Sequence, residues 1–126
     1  MAETQRVLVT GPTGKVGQAF INRFLADPKF DAFVVRALCH NRLLEPHERL
    51  ETVRGSISSM ETVQEAMQGV THVVHLATCK ETPDQIMDVA VKGLFWLLEA
   101  CRLSPTLKQF ILIGGDAGMG HFVYPH

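Results

Sequence analysis

A glycine triplet set between an apolar run and an amphipathic one constrains this chain more than any other feature. Gly11, Gly14 and Gly17 fall in Thr10-Gly11-Pro12-Thr13-Gly14-Lys15-Val16-Gly17, directly after Val7-Leu8-Val9. A glycine turn lets backbone N–H groups approach an anion with no Cβ in the way. A helix opening behind it adds unpaired N–H groups and the positive end of its dipole. Strand, glycine turn and helix in that order are what a dinucleotide pyrophosphate site requires. The spacing, G-x-x-G-x-x-G, is one residue longer in its first interval than G-x-G-x-x-G. Turns and tight helix–strand packing also select glycine, so the flanking pattern carries the reading more than the triplet does.

Short apolar runs alternate with helix-like segments along the rest of the chain. Arg6 to Thr10 reads as a buried strand, and Lys15 to Ala26 as a helix with Val16, Ala19, Phe20, Arg23 and Phe24 at helical spacing, stopped by Pro28. Arg23, the one charge in that set, reads as a flanking residue. Ala32 to Leu38 is a second strand and Leu50 to Arg54 a short third one, after a loop containing Pro46. Ser58 followed by Glu61 resembles a capping box, ahead of a short helix with Met60, Val63, Ala66 and Met67 as its stripe and Gly69 as its stop. Thr71 to Ala77 is a fourth strand. Asp84 to Arg102 is a long helix carrying Ile86, Met87, Ala90, Val91, Leu94, Leu97, Leu98 and Cys101, and Lys108 to Ile113 is the fifth strand.

Alternating β and α elements joined by right-handed crossovers predict an α/β, doubly wound parallel sheet with strand order 3-2-1-4-5. In that order the chain reverses direction between strands one and four. The loops after Thr10 and Ala77 then flank a crevice at the carboxyl edge of the sheet, where the ligand is expected. With 126 residues the chain fits one domain, able to bury a core without staples. Twelve basic and 13 acidic residues leave a formal net charge of −1, which points away from nucleic acid and membrane surfaces and toward small molecules or proteins. No apolar run is long enough to cross a bilayer, and Met1 to Arg6 lacks a leader pattern. Three widely spaced cysteines, Cys39, Cys79 and Cys101, argue against a disulfide framework or a zinc knuckle, so a cytoplasmic setting is expected.

The string Thr10-Gly11-Pro12-Thr13-Gly14-Lys15-Val16-Gly17 resembles the T-G-x-x-G-x-x-G signature of the extended short-chain dehydrogenase/reductase superfamily, which includes the NAD-dependent epimerases and dehydratases. Val73-Val74-His75-Leu76-Ala77 is similar to its V-V-H-L-A at the end of strand four. Gly93 with Leu97-Leu98-Glu99-Ala100-Cys101 is similar to its G-T-x-N-L-L-E-A-C helix, and Phe110-Ile111-Leu112-Ile113 to its fifth strand. The resemblance covers nearly the whole chain and implies a Rossmann-like domain over residues 1–126 that binds NAD or NADP. It implies that Gly11, Gly14 and Gly17 line the pyrophosphate turn, with Pro12 and Thr13 between them. Val16, after Lys15, is then the first backbone donor region of the helix. Leu76, Ala77 and Thr78 would contact the ribose side of the cofactor, although strand ends also pack beneath neighbouring loops.

The end of strand two separates the two cofactors: an acid there reads the 2′-hydroxyl of NAD, and an arginine accommodates the 2′-phosphate of NADP. Leu38-Cys39-His40-Asn41-Arg42 has no acid until Glu45, so His40 and Arg42 favour NADP. In the family's G-D-L element an aspartate contacts the adenine, whereas Gly55-Ser56-Ile57 has serine there. The catalytic half resembles the family poorly. Gly114-Gly115-Asp116 lies where a serine or threonine is expected, and Tyr124, the single tyrosine, has no lysine four residues later; it matches the family's V-Y-G segment better. Ala90 stands where an asparagine is expected. A sheet expected to continue past strand five reads as the N-terminal part of a longer enzyme whose substrate binds mainly outside this chain. Alone, the chain is expected to be inactive. A non-catalytic dinucleotide-binding module for sensing or scaffolding is the alternative, to which Ser56, Ala90 and Asp116 in place of the usual residues lend weight. The Asp84 to Arg102 helix is a candidate homodimer surface.

Other chemistries fit less well. A Walker A loop needs a glycine where Val9 stands and a hydroxyl after Lys15, where Val16 stands. His72 and His75, three apart on a strand, would face opposite ways, which is poor metal geometry. His40, His47, His121 and His126 show no ligand spacing, and no metal is expected. Cys39 and Cys79 read as ordinary free thiols.

Overall fold

A computed structural model describes residues 4–78 and 82–113. The five expected strands run parallel in the order β3-β2-β1-β4-β5: β1 Gln5–Thr10, β2 Phe33–Cys39, β3 Leu50–Arg54, β4 His72–His75 and β5 Gln109–Leu112. Val7 pairs with Val35 on one side and His72 on the other, which places β1 at the centre. Because β1 is covered on both faces it is apolar throughout rather than alternating. Leu8 joins Val63, Val73 and Leu97 on one face, while Val7 and Val9 join Ile21, Phe24 and Val35 on the other. A fully buried Val or Leu contributes about 1.5–3 kcal/mol, so these two clusters dominate the folding free energy.

Helix α1 occupies Lys15–Ala26 as expected, but its buried face is displaced. Gly17, Ile21 and Phe24 are buried, whereas Val16 is 65% exposed and Ala19 is exposed. The cause is Gly17, which lies so close to the turn that a Cβ there would fall 2.2 Å from the Gly11 carbonyl oxygen. Val16, Ala19 and Phe20 instead line an apolar groove of about 870 Å³ beside β1, β4 and β5. Arg23 is exposed, as a flanking residue should be.

The segment read as one helix from Asp84 to Arg102 is helical in three pieces: α3 Pro83–Gln85, a π-helical run Ile86–Gly93, and α4 Leu94–Leu103. Its expected stripe is only partly inward: Leu97 is buried, with Gly93, whereas Ile86, Met87, Ala90, Val91 and Leu98 are exposed. A Cβ on Gly93 would meet Ile57 Cγ2 at 2.8 Å, so that glycine must face inward and Leu97, one turn on, follows it. Helix α2, Met60–Ala66, is capped one residue later than expected. The Ser59 side chain accepts from the Thr62 N–H, whereas Ser58 bonds to Ser56. At its other end Arg36 donates to the Ala66 and Gln68 carbonyls and pairs with Glu51, which also pairs with Arg6. The expected fourth strand is longer than β4, because the N–H groups of Leu76 and Ala77 turn to a side-chain partner, Leu76 while still bonding the Thr10 carbonyl at 3.2 Å.

That partner is Thr10. Its Oγ1 accepts from the N–H groups of Leu76 at 3.0 Å and Ala77 at 3.1 Å and lies 2.7 Å from His75 Nδ1. A hydroxyl has two lone pairs and one hydrogen. With both lone pairs taken, the hydrogen goes to Nδ1, and the buried imidazole is neutral with its own proton on Nε2. Burial holds the His75 pKa below its ordinary value, and burial together with Lys108 does the same to His72.

This packing makes two predictions. Gly17→Ala should cost about 1–3 kcal/mol of stability through overpacking, and Gly14→Ala, which makes only an ordinary contact with the Gly11 oxygen, under about 1 kcal/mol; denaturant unfolding of the two variants gives the order. The second concerns pH. A histidine harder to protonate when folded makes acid favour the unfolded chain, so its contribution is full above the ordinary histidine value of about 6.5 and is lost as pH falls below it. His75→Asn keeps an acceptor for Thr10 but does not titrate. Thermal melts between about pH 7.5 and 5.5 should show a shallower loss of stability in this variant than in the unaltered chain, with His72 supplying the remainder.

Candidate functional site

The carboxyl ends of β1, β2, β3 and β4 open into one cleft of about 640 Å³. Four stretches of chain build most of its wall: Thr10 to Gly14 from the turn, Leu38 with His40 and Arg42 after β2, Gly55 to Ser58 after β3, and Leu76 to Thr78 after β4. Every candidate binding residue named from the sequence is therefore here except Lys15, Val16 and Gly17. Lys15 and Val16 direct their side chains to the apolar groove on the other side of α1, and Gly17 is buried beneath the turn.

The three glycines have different reasons to be glycine. Gly11 has φ of 65°, and a Cβ there would lie 2.7 Å from the Leu76 carbonyl carbon and oxygen. Gly11 and Gly17 are thus demanded by the fold itself. Gly14 is not: its φ of −72° and ψ of 170° suit any residue, and a Cβ would meet nothing nearer than the Gly11 oxygen at 3.7 Å. It sits at the N-cap of α1, which has no side-chain cap and no acid in its first turn. The first-turn N–H groups are consequently free of side-chain acceptors, an arrangement suited to an external anion.

The turn is braced from its outer side. Thr13 O accepts from Gln18 Nε2 at 2.6 Å and from Arg42 Nη2 at 2.9 Å. Arg42 is thereby held over the turn from the end of β2, and exposed His40 stands on the same wall. At the end of β3, Ser56 Oγ lies 2.7 Å from Ser58 Oγ and accepts from the Ser58 N–H at 3.1 Å, while Ile57 is buried. Cys39, just behind, is buried, and burial pushes its thiol pKa up against the opposing pull of a backbone bond from Leu44; that of Cys101 is pushed up to about 11. Both are thiols rather than thiolates at neutral pH, as expected of unreactive cysteines.

The fifth part of the wall escaped the sequence reading. Gln85, Asp88 and Val89 enter the cleft from the junction of α3 with the π-helical run. Apolar periodicity carries no sign of a change in helical pitch, so nothing in the pattern separated these residues from the rest of the helix. Ala90 is exposed and does not line the cleft. Asp116 and Tyr124, along with Cys79, His121 and His126, lie outside the described residues. His72 contacts Phe33 on the α1 face, and His75 faces Thr10 and Phe110 on the other, so the two histidines do point opposite ways. Among the described residues there is no cluster of three or more metal-ligating side chains, and no helix is long and apolar enough to cross a membrane.

Comparison with known proteins agrees with this geometry. Residues 7–123 match the NAD dependent epimerase/dehydratase family. The UDP-glucose 4-epimerase of Rickettsia akari is 29% identical over 133 residues, covering 94% of this chain and 38% of the relative. The UDP-glucose 4-epimerase of Thermus thermophilus, solved as a complex with NAD, is similar at 28% identity with a TM-score of 0.68, over 83% of this chain and 36% of that one. Uronate dehydrogenase from Agrobacterium tumefaciens shares the fold, with a TM-score of 0.76 at 23% identity over 91% of this chain and 42% of that one. The chain spans about two fifths of the length of the curated relatives it matches. On its matched residues, its strand order and the glycine turn at the sheet's reversal point, the chain belongs to the NAD-dependent epimerase/dehydratase family.

Proposed function

We propose that this chain is the nicotinamide dinucleotide-binding portion of an epimerase, dehydratase or reductase. The observation that carries the reading is Gly14, the one glycine of the triplet that neither backbone conformation nor packing requires, lining the cleft at the start of α1. Gly11, Pro12, Thr13 and Gly14 would hold the pyrophosphate, with the N–H groups of Lys15, Val16 and Gly17 aimed at it from the helix. Ser56 and Ile57 would border the base, and Leu76, Ala77 and Thr78 the nicotinamide ribose. When bound, the nicotinamide supplies a reversible hydride acceptor for a substrate carbinol. The chain's own part is to bind and orient it, and the substrate, a sugar-nucleotide-like or other small hydroxy or carbonyl compound, is placed mainly outside these residues. The second reading, a non-catalytic module, draws on Ser56 and Ala90 standing where the family's usual polar residues are expected.

We assign NADP the tighter binding. The β2 end offers His40 and the Arg42 guanidinium, and a guanidinium pairs with a 2′-phosphate far better than with a 2′-hydroxyl. Calorimetric titration tests both parts. Gly14→Val should abolish binding of NAD and NADP in a chain that still unfolds cooperatively, and retained affinity would refute the phosphate site. Arg42→Ala should weaken NADP by about 1–3 kcal/mol more than it weakens NAD, whose smaller loss comes from the missing bond to Thr13 O. Equal losses would make Arg42 a brace of the turn only.

A second copy of the chain is proposed as the partner of the outer face between Pro83 and Leu103, where Met87, Val91, Phe95 and Leu98 are each about half exposed or more. Sedimentation equilibrium should show a dimer that Leu98→Glu converts to monomer. A monomeric unaltered chain would remove this proposal.

A further inference from the structure

The base end of the cleft carries an acid that the family resemblance does not assign. The π-helical run lies against the end of β3: Gly93 sits directly on Ile57, and Val89 packs on the cluster that contains Ile57. Asp88, next to Val89, lines the same cleft as Gln85 and Gly55 to Ser58. The hydroxyl at the β3 end is already engaged, since Ser56 Oγ bonds to both the hydroxyl and the N–H of Ser58. Among the described residues that line the cleft, the one carboxylate is that of Asp88, from the helix.

We propose that Asp88 reads the exocyclic amine of the cofactor's purine and makes this site specific for adenine; this rests on the dinucleotide reading above. The geometry orders the ligand. The phosphates belong at the turn after β1 and His40 and Arg42 beside it at the β2 end, so the adenosine half extends toward β3. There Ile57 and Val89 present apolar surface to a ring, and Asp88 provides acceptors beside it. Adenine presents an NH₂ donor at its six-position, which a carboxylate accepts, whereas hypoxanthine presents a carbonyl oxygen there, which a carboxylate repels. The π-helical pitch is what gives the acid this place: π-helical segments are uncommon and occur often at functional sites.

Titration of the full chain with nicotinamide adenine dinucleotide and with its hypoxanthine counterpart is the test. The unaltered chain should prefer the adenine form by about tenfold or more, the scale of a hydrogen bond to a charged group. In Asp88→Asn, whose amide both accepts and donates, and in Asp88→Ala, the preference should fall to within about threefold, with the hypoxanthine form bound as tightly as before or more tightly. Asp88 is exposed, so both variants are expected to keep the unaltered melting temperature. Equal weakening of the two dinucleotides, or an unchanged preference, would overturn the assignment while leaving the dinucleotide reading in place. Failure of the unaltered chain to bind either would overturn that reading and this inference with it.

Discussion

The carboxyl edge of the sheet depends on how closely the turn after β1 lies beneath the end of β4. At Gly11 there is no room for a single methyl group between the two chains, and the Thr10 hydroxyl fastens them from the side by accepting two backbone N–H groups and donating to His75. That contact fixes the relative height of β1 and β4 where the topology reverses. Gly17 repeats the constraint one turn into α1, pressing the helix onto the same loop. Position and tilt of the helix N-terminus are therefore set by contacts between backbones, which tolerate less adjustment than contacts between side chains.

Much of this was legible in the sequence. Strand existence and order followed from apolar runs separated by turn residues, and β3, only five residues long, was found at its observed bounds because a proline loop isolates it. The cleft walls followed from topology, since a reversal between β1 and β4 leaves few places for a ligand. Which face of each helix is buried was legible only in part, through Phe24 and Leu97. Both long helices have apolar residues on more than one side, and a periodicity argument selects the larger set: Val16 and Ala19 in α1, Met87 and Val91 in the π-helical run. In each case the inward face is marked by a glycine, Gly17 or Gly93, because the close contact there leaves no volume for a side chain. The residue that settles the geometry is the one a hydrophobicity count ignores.

The capping of α2 shows the same kind of limit on a smaller scale. Ser58 and Ser59 are chemically equivalent candidates, and the sequence motif favours the first because Glu61 lies three residues on. The structure uses the second because Ser58 is held by Ser56 at the end of β3. A local rule lost to a neighbouring hydrogen bond that also shapes the cleft wall.

One carbonyl oxygen, that of Thr13, accepts both Arg42 from the β2 end and Gln18 from α1. The residue that would discriminate between two ligands is thus tied to the loop that would hold what they share. Loss of the guanidinium at position 42 removes a bond that braces that loop as well as the charge beside it. Redesigning the chain for a different nucleotide would accordingly require compensation at Gln18 or Thr13, and natural drift in ligand preference would tend to proceed through paired changes at these sites.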